Sequence, residues 1–522
     1  MSAAAQHPAL AVLPGGASED LQTAAVIDLG SNSWRLVAYR YLQGGAWWRL
    51  GQLQEPVRIA EGLARSNKLS ASAVARGMET LYMFARYCRA RGIDPGTVDA
   101  VATSAIRDAA NGDDLRRRAG ELTGFDIRVL SAQQEAEYGY LAAVNSTTLT
   151  DGTVLDLGGG SMQLVAVRDR QATAFGSWPL GAVRISERLL PAARALSRKE
   201  LKRARTAVRA EVAETEWANV KGHRVVGMGG AVRNLAAAAQ RAGGLGAAGV
   251  QGYVLRAAEL RELVAALARR PAAARALPGI KPARADVVLG AALVLEAMLE
   301  TFDGIEVTRA GLREGVFFAT RLLSEAAPLV PDVRAAAVRH LAVQCHADLP
   351  HAEHVARLAG ELHDSMAAES VIAPVRDERE LLWAASMLHD VGMTIGYDGH
   401  AAHSRYVILN AGLAGYGPRE VALIAQIVRY HRKGTPDLED LRPLVREGDR
   451  ELVQRCALLL RIAEQLARGN DQSVRAARLV ADRQRIRLVL EGDDQLARWS
   501  LERQLGDEAF RRVFSRRLVI ED

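Results

Sequence analysis

The sequence predicts an α/β protein of two related lobes, followed by a helical domain and a small α+β region. Three observations carry this. A strand–turn–strand pattern occurs twice in the front of the chain. Strand and helix periodicities alternate up to about residue 325. Beyond that the pattern is helix after helix, and nine of the eleven histidines fall between His340 and His431, where an even spread would put about two.

Composition narrows the class. The 522 residues are 49% hydrophobic and 25% charged, which excludes a largely disordered chain, a collagen-like fibre and a coiled-coil rod. The most apolar run, 287–299, is broken by Gly290 and Glu296 and falls short of the roughly 18 residues of a membrane span. Cys88, Cys345 and Cys456 lie far apart and make neither a disulfide framework nor a metal knuckle, so a cytoplasmic location is expected. A net charge of +6 fits a polyanionic ligand without demanding one.

The elements follow in order. Residues 1–21 lack a basic segment and a convincing apolar core, and are expected to be a disordered tail, not a signal peptide. The first lobe, 22–150, opens with apolar residues 24–27, a turn Asp28-Leu29-Gly30-Ser31-Asn32-Ser33, and a strand over 34–41. Residues 70–91 carry helical periodicity through Val74, Met78, Leu81, Ala85 and Cys88, 98–103 and 127–130 read as strands, and a helix starts after Ser131. The second lobe, 151–325, repeats the opening: a strand runs into Asp156-Leu157-Gly158-Gly159-Gly160-Ser161 and out through 162–168, 128 residues after the first copy. Residues 186–214 read as one Arg/Lys-rich helical stretch, and a third glycine turn, Gly227-Met228-Gly229-Gly230, leads into a helix over 231–241. Residues 326–470 form the helical domain. In 471–522 the alternating run 477–490, a short helix and a closing strand make the α+β region.

Such turns bind anions. Glycine lets backbone N–H groups approach closely, Ser and Asn add donors, and a carboxylate can hold Mg²⁺ through its water shell. Two facing turns would clamp a phosphate chain between lobes. One copy alone is weak, because Asp-Gly turns are common in hairpins. No GxxxxGK[ST] loop is present, which argues against a P-loop.

At this point a resemblance becomes specific. Asp28–Ser33, Asp156–Ser161 and Gly227–Gly230 look like the two phosphate motifs and the third glycine motif of the actin-like (ribonuclease H-like) ATPase fold. AVIDLGSNSWRLV, VATSAIRDAANGDDL, LSAQQEAEYGYL, VLDLGGGSMQLV, PLGAVRISE, VVGMGGAVRNLA, RADVVLGAALVLEAM and GLREGVFF together resemble the exopolyphosphatase / guanosine pentaphosphate phosphatase (Ppx/GppA) family. The helical part resembles the HD-like domain of its longer members.

The resemblance implies roles. Glu135 matches the general base, and its place in the first turn of a helix predicts that it is ionised. Ser131 and Gln134 have the spacing of a capping box. Asp28 and Asp156 are implied as ligands of Mg²⁺, and Ser31, Asn32, Ser33, Gly158, Gly159, Gly160, Ser161, Gly229 and Gly230 as phosphate donors. Arg107 matches a basic residue that would contact phosphate; an ion pair with Asp108 or another neighbour is the structural alternative. Arg284 and Arg313 sit in family-like motifs and equally suit ion pairs. Two departures stand out: Gln163 replaces a carboxylate the family places near the metal, and Gln134 another frequent Glu. In the HD-like domain His351, His389, Asp390 and Glu464 fall where a second metal would bind, and His403 and His431 match further histidines; structural packing is the alternative there.

The activity implied is Mg²⁺-dependent release of terminal orthophosphate from inorganic polyphosphate, with basic stretches 186–209 and 498–517 holding the chain. Guanosine pentaphosphate (pppGpp) 5′-phosphohydrolysis is the alternative substrate reading. A catalytically weak polyphosphate or nucleotide sensor is the alternative of another class, motivated by Gln163. A sugar kinase is disfavoured by the motifs. The expected assembly is a homodimer, with no membrane and no specific nucleic acid as partner.

Overall fold

The computed structural model describes residues 21–215, 224–246, 249–300, 302–323, 328–372, 376–482, 484–492, 495–504 and 507–520. Apart from residue 21, the segment expected as a tail lies outside the described residues. The chain forms two compact units, one of Ala17–Gly246 with Val250–Val333 and one built on Arg334–Asp522.

The first unit contains two sheets. Strands β1 (Gln22–Leu29), β2 (Trp34–Tyr41), β3 (Trp47–Glu55), β4 (Asp99–Ala102) and β5 (Ile127–Val129) form one, in the order β3-β2-β1-β4-β5. Strands β6 (Gly152–Leu157), β7 (Met162–Arg168), β8 (Gln171–Trp178), β9 (Val225–Met228), β10 (Val254–Arg256) and β11 (Gly304–Val307) form the other, in the order β10-β11-β9-β6-β7-β8. In both, an antiparallel meander is followed by strands added in parallel to its first member: β4 on β1, and β9 on β6. The repeated turn is therefore the visible part of a repeated sheet, and the unit has the two-lobed actin-like architecture.

Both turns are held at each end by buried side chains. Leu29 and Trp34 flank the first, Leu157 and Met162 the second, and none is more than 1% exposed. Burying one such side chain stabilises by roughly 1.5–3 kcal/mol. The Trp34 ring fits because Gly77 of the helix Ala71–Ala90 has no side chain; a Cβ there would lie 2.5 Å from the indole.

Two sequence expectations change. Residues 186–214 are two helices, Ala182–Leu189 and Arg198–Ala213. Pro191 lies between them and cannot donate to a continuing helix, while Ser197 and Glu200 cap the second by a reciprocal box. Strands β3, β8, β10 and β11 were not legible. Three of them lie at sheet edges, where β3 and β8 show no buried residue to mark a period.

In the second unit the helices Leu349–Ala368, Arg376–Leu388, His400–Ala411, Pro418–Arg429 and Asp449–Leu466 pack around one apolar core. The sheet of β12 (Val474–Ala481), β13 (Arg485–Gly492) and β14 (Arg517–Ile520) contributes Leu479 and Leu488 to that same core. No described helix is long and apolar enough to cross a membrane, and all three cysteines are free thiols.

Candidate active site

The two turns are equivalent loops. Antiparallel pairing places Asp28 opposite Arg35 and Leu29 opposite Trp34, leaving residues 30–33 as the loop; Asp156 opposite Gln163 and Leu157 opposite Met162 leave 158–161. The loop carbonyls are occupied from outside. Arg58 and Ala60 donate their backbone N–H to the oxygens of Asn32 and Ser31, and Ala182 and Val183 donate theirs to those of Gly158 and Gly159. Turning the carbonyls outward leaves the opposite, N–H-bearing side of each loop for an anion. The loops approach closely: a Cβ on Gly159 would lie 3.1 Å from the Ser31 Cβ, and one on Gly160 2.6 Å from the Ser104 Oγ. The third turn holds Gly229 at φ 107°, where a Cβ would meet the Leu157 carbonyl at 2.4 Å, so only glycine fits.

A cleft of about 110 Å³ gathers these loops with Asp28, Glu135 and Asp156. Glu135 enters from the helix Ala132–Val144, whose start is fixed by the expected capping box of Ser131 and Gln134. Its carboxylate is buried, and Arg107 holds it: Nη1 lies 3.1 Å from Glu135 Oε2 and donates to the Leu130 carbonyl at 2.8 Å. The expectation of simple ionisation is corrected here. Burial pushes the Glu135 pKa up to about 7; Arg107 opposes this, while the charges of Asp156 and Asp28 add to it. Desolvation outweighs the helix terminus.

The same cause acts on its neighbours. Burial raises Asp156 to about 6, with Arg233 opposing and Asp28 adding, and raises Asp28 against the pull of Arg313 and Arg35. Four arginines line the cleft around them: Arg35 on β2, Arg233 on the helix Gly230–Ala242, Arg284 in the turn Pro282–Arg284, and Arg313 on the helix Leu312–Phe317. Arg313 reaches Asp28 Oδ2 at 3.4 Å. Burial and mutual repulsion push Arg35 down to about 9 and Arg233 to about 10. The Nε atoms of Arg35 and Arg313 are buried with no hydrogen-bond partner. Crowded, desolvated cations with unspent donors suit a polyvalent anion.

Mg²⁺ fits the same cleft. Its preferred ligands are hard oxygens, and Asp28, Asp156 and Glu135 supply carboxylates; Asp28 and Asp156 raise the Glu135 pKa and Asp28 that of Asp156, a repulsion a divalent cation would relieve. The Asp156 carboxylate accepts no hydrogen bond from the described residues, which leaves it available to a hydrated ion.

Of the residues expected to bind phosphate, Ser31, Asn32, Ser33, Gly158, Gly159, Ser161, Gly229 and Gly230 line the cleft. Gly160 lines an adjoining cavity of about 200 Å³, which shares Ser31, Ser104 and Gly159 with the cleft. Arg107 is not on the cleft wall; it takes the alternative role of ion-pair partner, to Glu135 and, at 3.5 Å, to Asp108. Arg284 and Arg313 line the cleft. Arg35 and Arg233 were missed. Their signal was position: each closely follows a glycine turn, at Ser33-Trp34-Arg35 and Gly230-Ala231-Val232-Arg233. Gln163 is buried and donates to Ser161 Oγ at 2.8 Å. In the basic stretch 186–209, four of the eight Arg and Lys, Arg188, Arg194, Arg205 and Arg209, pair with Glu211, Glu200, Glu296 and Glu300.

In the second unit, His351, His389, Asp390 and Glu464 do come together, with His389 Nε2 3.2 Å from Glu464 Oε2 and 3.4 Å from Asp390 Oδ2. His431 joins them. His403 does not; its Nδ1 lies 3.3 Å from the Gly396 carbonyl, and the neighbouring histidine in the cluster is His400.

Comparison with known proteins agrees with this geometry. Residues 43–324 match the family model described as the Ppx/GppA phosphatase family, and residues 333–508 match Ppx/GppA phosphatase, domain III. Among solved structures, an exopolyphosphatase-like protein is 24% identical with a TM-score of 0.51, over 57% of this chain and 97% of that one. An exopolyphosphatase from Cytophaga hutchinsonii is 20% identical with a TM-score of 0.51, over 57% and 97%. A Ppx/GppA family member from Aquifex aeolicus is 24% identical with a TM-score of 0.49, over 57% and 96%. At these identities the structural likeness concerns the fold.

Proposed function

Because the chain belongs to the Ppx/GppA phosphatase family, and so is a phosphatase of the hydrolase class, we propose that it is an exopolyphosphatase that uses Glu135 as general base. The observation that carries this is the cleft itself: a buried carboxyl with a pKa near 7 faces two phosphate loops and four arginines. The terminal phosphoryl group lies between the loops, held by their N–H groups and by Ser31, Ser33 and Ser161. Glu135 accepts a proton from water as the water oxygen forms a bond to the terminal phosphorus. The bridging P–O bond breaks, and its electron pair leaves with the shortened chain. Arg35, Arg233, Arg284 and Arg313 neutralise the charge spread over the phosphoryl oxygens and the leaving oxygen, which is most of what this chemistry requires. Mg²⁺, held by Asp28 and Asp156, would add further charge neutralisation.

Positioning falls to the ion pair. Arg107 points the Glu135 carboxylate and keeps its pKa from rising further. Such a base, poised near the working pH, favours both deprotonation and proton acceptance.

One observation favours guanosine pentaphosphate as a second substrate. The adjoining cavity of about 200 Å³ carries Asn67, Asp108, Arg184 and Glu187 beyond the loops, polar groups suited to a nucleoside more than to a bare polyanion. Phosphate release from long-chain polyphosphate with Mg²⁺, with products resolved by length, tests the first reading; the expected products are orthophosphate and residual long chains. Release only from guanosine pentaphosphate would move the assignment to the nucleotide, and turnover of neither, with tight binding of both, would move it to a sensor.

A further inference from the structure

Arg313 lies between two carboxylates and is close to neither. Its Nη1 is 3.4 Å from Asp28 Oδ2 and its Nη2 3.9 Å from Glu314 Oε2, where a charge-assisted bond measures about 2.7–2.9 Å. Other buried carboxylates of the chain draw their arginines to that range: Arg205 lies 2.7 Å from Glu296, and Arg455 2.7 Å from Glu378. Glu314 makes its close bond with Arg49 instead, Nη2 to Oε1 at 2.7 Å. Arg49 is not among the residues that line the cleft. From this arrangement we infer that Arg49 is a positioning residue: by occupying Glu314 it leaves the Arg313 guanidinium free to turn to the phosphoryl oxygens.

The placement of Arg49 begins in the strand pairing. Tyr39 on β2 stands opposite Arg49 on β3, and Ala38 opposite Gly51, so Leu50 is an extra residue on β3. A bulge of this kind re-aims side chains; without it Leu50 would stand opposite Tyr39. Directly opposed residues share one face of a sheet, and here both reach Glu314 Oε1, the Tyr39 hydroxyl donating at 3.4 Å. Tyr39 is fixed in turn. Its ring stacks on Phe317 at 4.1 Å and meets Trp47 edge-on at 5.6 Å. Phe317 stands one turn after Glu314 on the helix Leu312–Phe317, so ring and carboxylate pin that helix to β2 together. Glu314 Oε2 accepts the Gly311 N–H at 2.9 Å, which closes the start of the helix.

Charge alternates along this line, positive at Arg49 and Arg313, negative at Glu314 and Asp28. The Glu314 side chain is only 2% exposed. Burial alone would raise its pKa, but Arg313, Arg49 and Arg233 outweigh burial and hold it below the ordinary carboxylate value. Without Arg49, the ion-pair partner left to Glu314 among the described residues is Arg313. The two attract strongly in a buried, poorly screened setting, and an approach of about 1 Å makes a close bond. That bond would draw Arg313 away from Asp28 and from the phosphoryl group.

The role rests on the proposal that the cleft holds a phosphate chain, and its test reads binding apart from turnover. Tripolyphosphate is titrated calorimetrically into the full-length, metal-free protein, and kcat/KM for orthophosphate release from polyphosphate with Mg²⁺ is measured alongside. Arg313→Met should weaken binding about 10- to 100-fold, the worth of a charge-assisted contact. Arg49→Met should weaken it about 5- to 20-fold and lower kcat/KM by a similar factor. In an Arg313→Met background the same change should alter affinity by less than about two-fold, because Arg49 acts through Arg313. Arg49→Lys should bind within about three-fold of the wild type, since one N–H donor with its charge meets Glu314. A loss from Arg49→Met that is equal with and without Arg313 would be a general effect on field or fold, and overturns the inference. So does an unchanged affinity in Arg49→Met or in Arg313→Met. The expected binding pattern in a protein that releases no orthophosphate supports the positioning role and counts against the exopolyphosphatase reading alone. Should Arg49→Met fail to fold, as read by circular dichroism, Arg49→Gln takes its place in the same cycle and is judged by the same outcomes.

Discussion

Removing Arg107 separates two roles that the chain's motifs leave open. The Arg107 guanidinium lies 3.1 Å from the Glu135 carboxylate, and an opposite charge at that range lowers a carboxyl pKa by about 1–3 units. Arg107 keeps 24% of its side chain exposed, so solvent screening favours the lower part of that range, about 1–2 units. In Arg107→Met, Glu135 should therefore rise from about 7 to about 8–9. At pH 7 the ionised fraction then falls from about one half to between about 1/10 and 1/100, and kcat/KM should drop roughly 5- to 50-fold. The loss should be regained as pH rises past about 9, because only the protonation equilibrium has moved. The assay is orthophosphate release from long-chain polyphosphate at fixed Mg²⁺, with kcat/KM profiled against pH for the wild type, Arg107→Met and Arg107→Lys. The lysine variant, which keeps the charge, should hold its acid limb close to the wild type. An acid limb that stays put in Arg107→Met, with a loss uniform across pH, would refute the argument and return Arg107 to direct phosphate contact.

Three further outcomes are expected. Glu135→Gln should abolish phosphate release yet stabilise the metal-free protein above neutral pH. Folding raises this carboxyl to about 7, so the wild type loses stability as pH climbs from about 4.5 through 7, by about 2–3 kcal/mol, and the variant should lack that slope in pH-resolved thermal melts. Gly229→Ala places a Cβ 2.4 Å from the Leu157 carbonyl at φ 107°; it should cost about 1–3 kcal/mol in denaturant midpoint and cut activity, and an unchanged midpoint would contradict the close approach. Gln163→Glu adds a carboxylate opposite Asp156; the Mg²⁺ concentration for half-maximal activity should fall several-fold, and an unchanged value would mean that residue 163 does not see the ion.

What was legible in the sequence had contiguous residues behind it. The loops, Glu135 with its capping box, and the His389-Asp390 pair each sit in a local pattern whose geometry follows from strand or helix spacing. The arginine wall was not legible as a set, because Arg35, Arg233, Arg284 and Arg313 reach the cleft from four separate elements. In a chain with 67 Lys and Arg, a single arginine carries no mark of its destination. The partner of Arg107 lies 28 residues along the chain, on the helix Ala132–Val144, with another helix and a strand between, so only the packing of that helix distinguishes a phosphate ligand from a positioning residue. His400 against His403 is a similar case: they stand three residues apart on one helix, and the bond from each ring to its own carbonyl decides which faces Asp390.

The repeat itself sharpens the division of labour in the cleft. The two loops share a register so close that Arg35 and Gln163 occupy equivalent positions, each opposite the aspartate that opens its loop. Their side chains then diverge. Arg35 faces the cleft as a desolvated cation beside Asp28, which also holds Arg313. Gln163 turns inward to Ser161 and leaves Asp156 without a partner of that kind. Asp28 thus has the charges of Arg313, Arg35 and Arg284 beside it and Asp156 that of Arg233, so Asp156 is the carboxylate with more to gain from a mobile cation. Equivalent positions of the repeat thus carry unlike side chains, a cation opposite Asp28 and an amide opposite Asp156. If the cleft takes a phosphate chain as proposed, the phosphoryl group to be transferred would have to meet the arginines, the ion beside Asp156 and Glu135 at once, which would give the bound chain a direction.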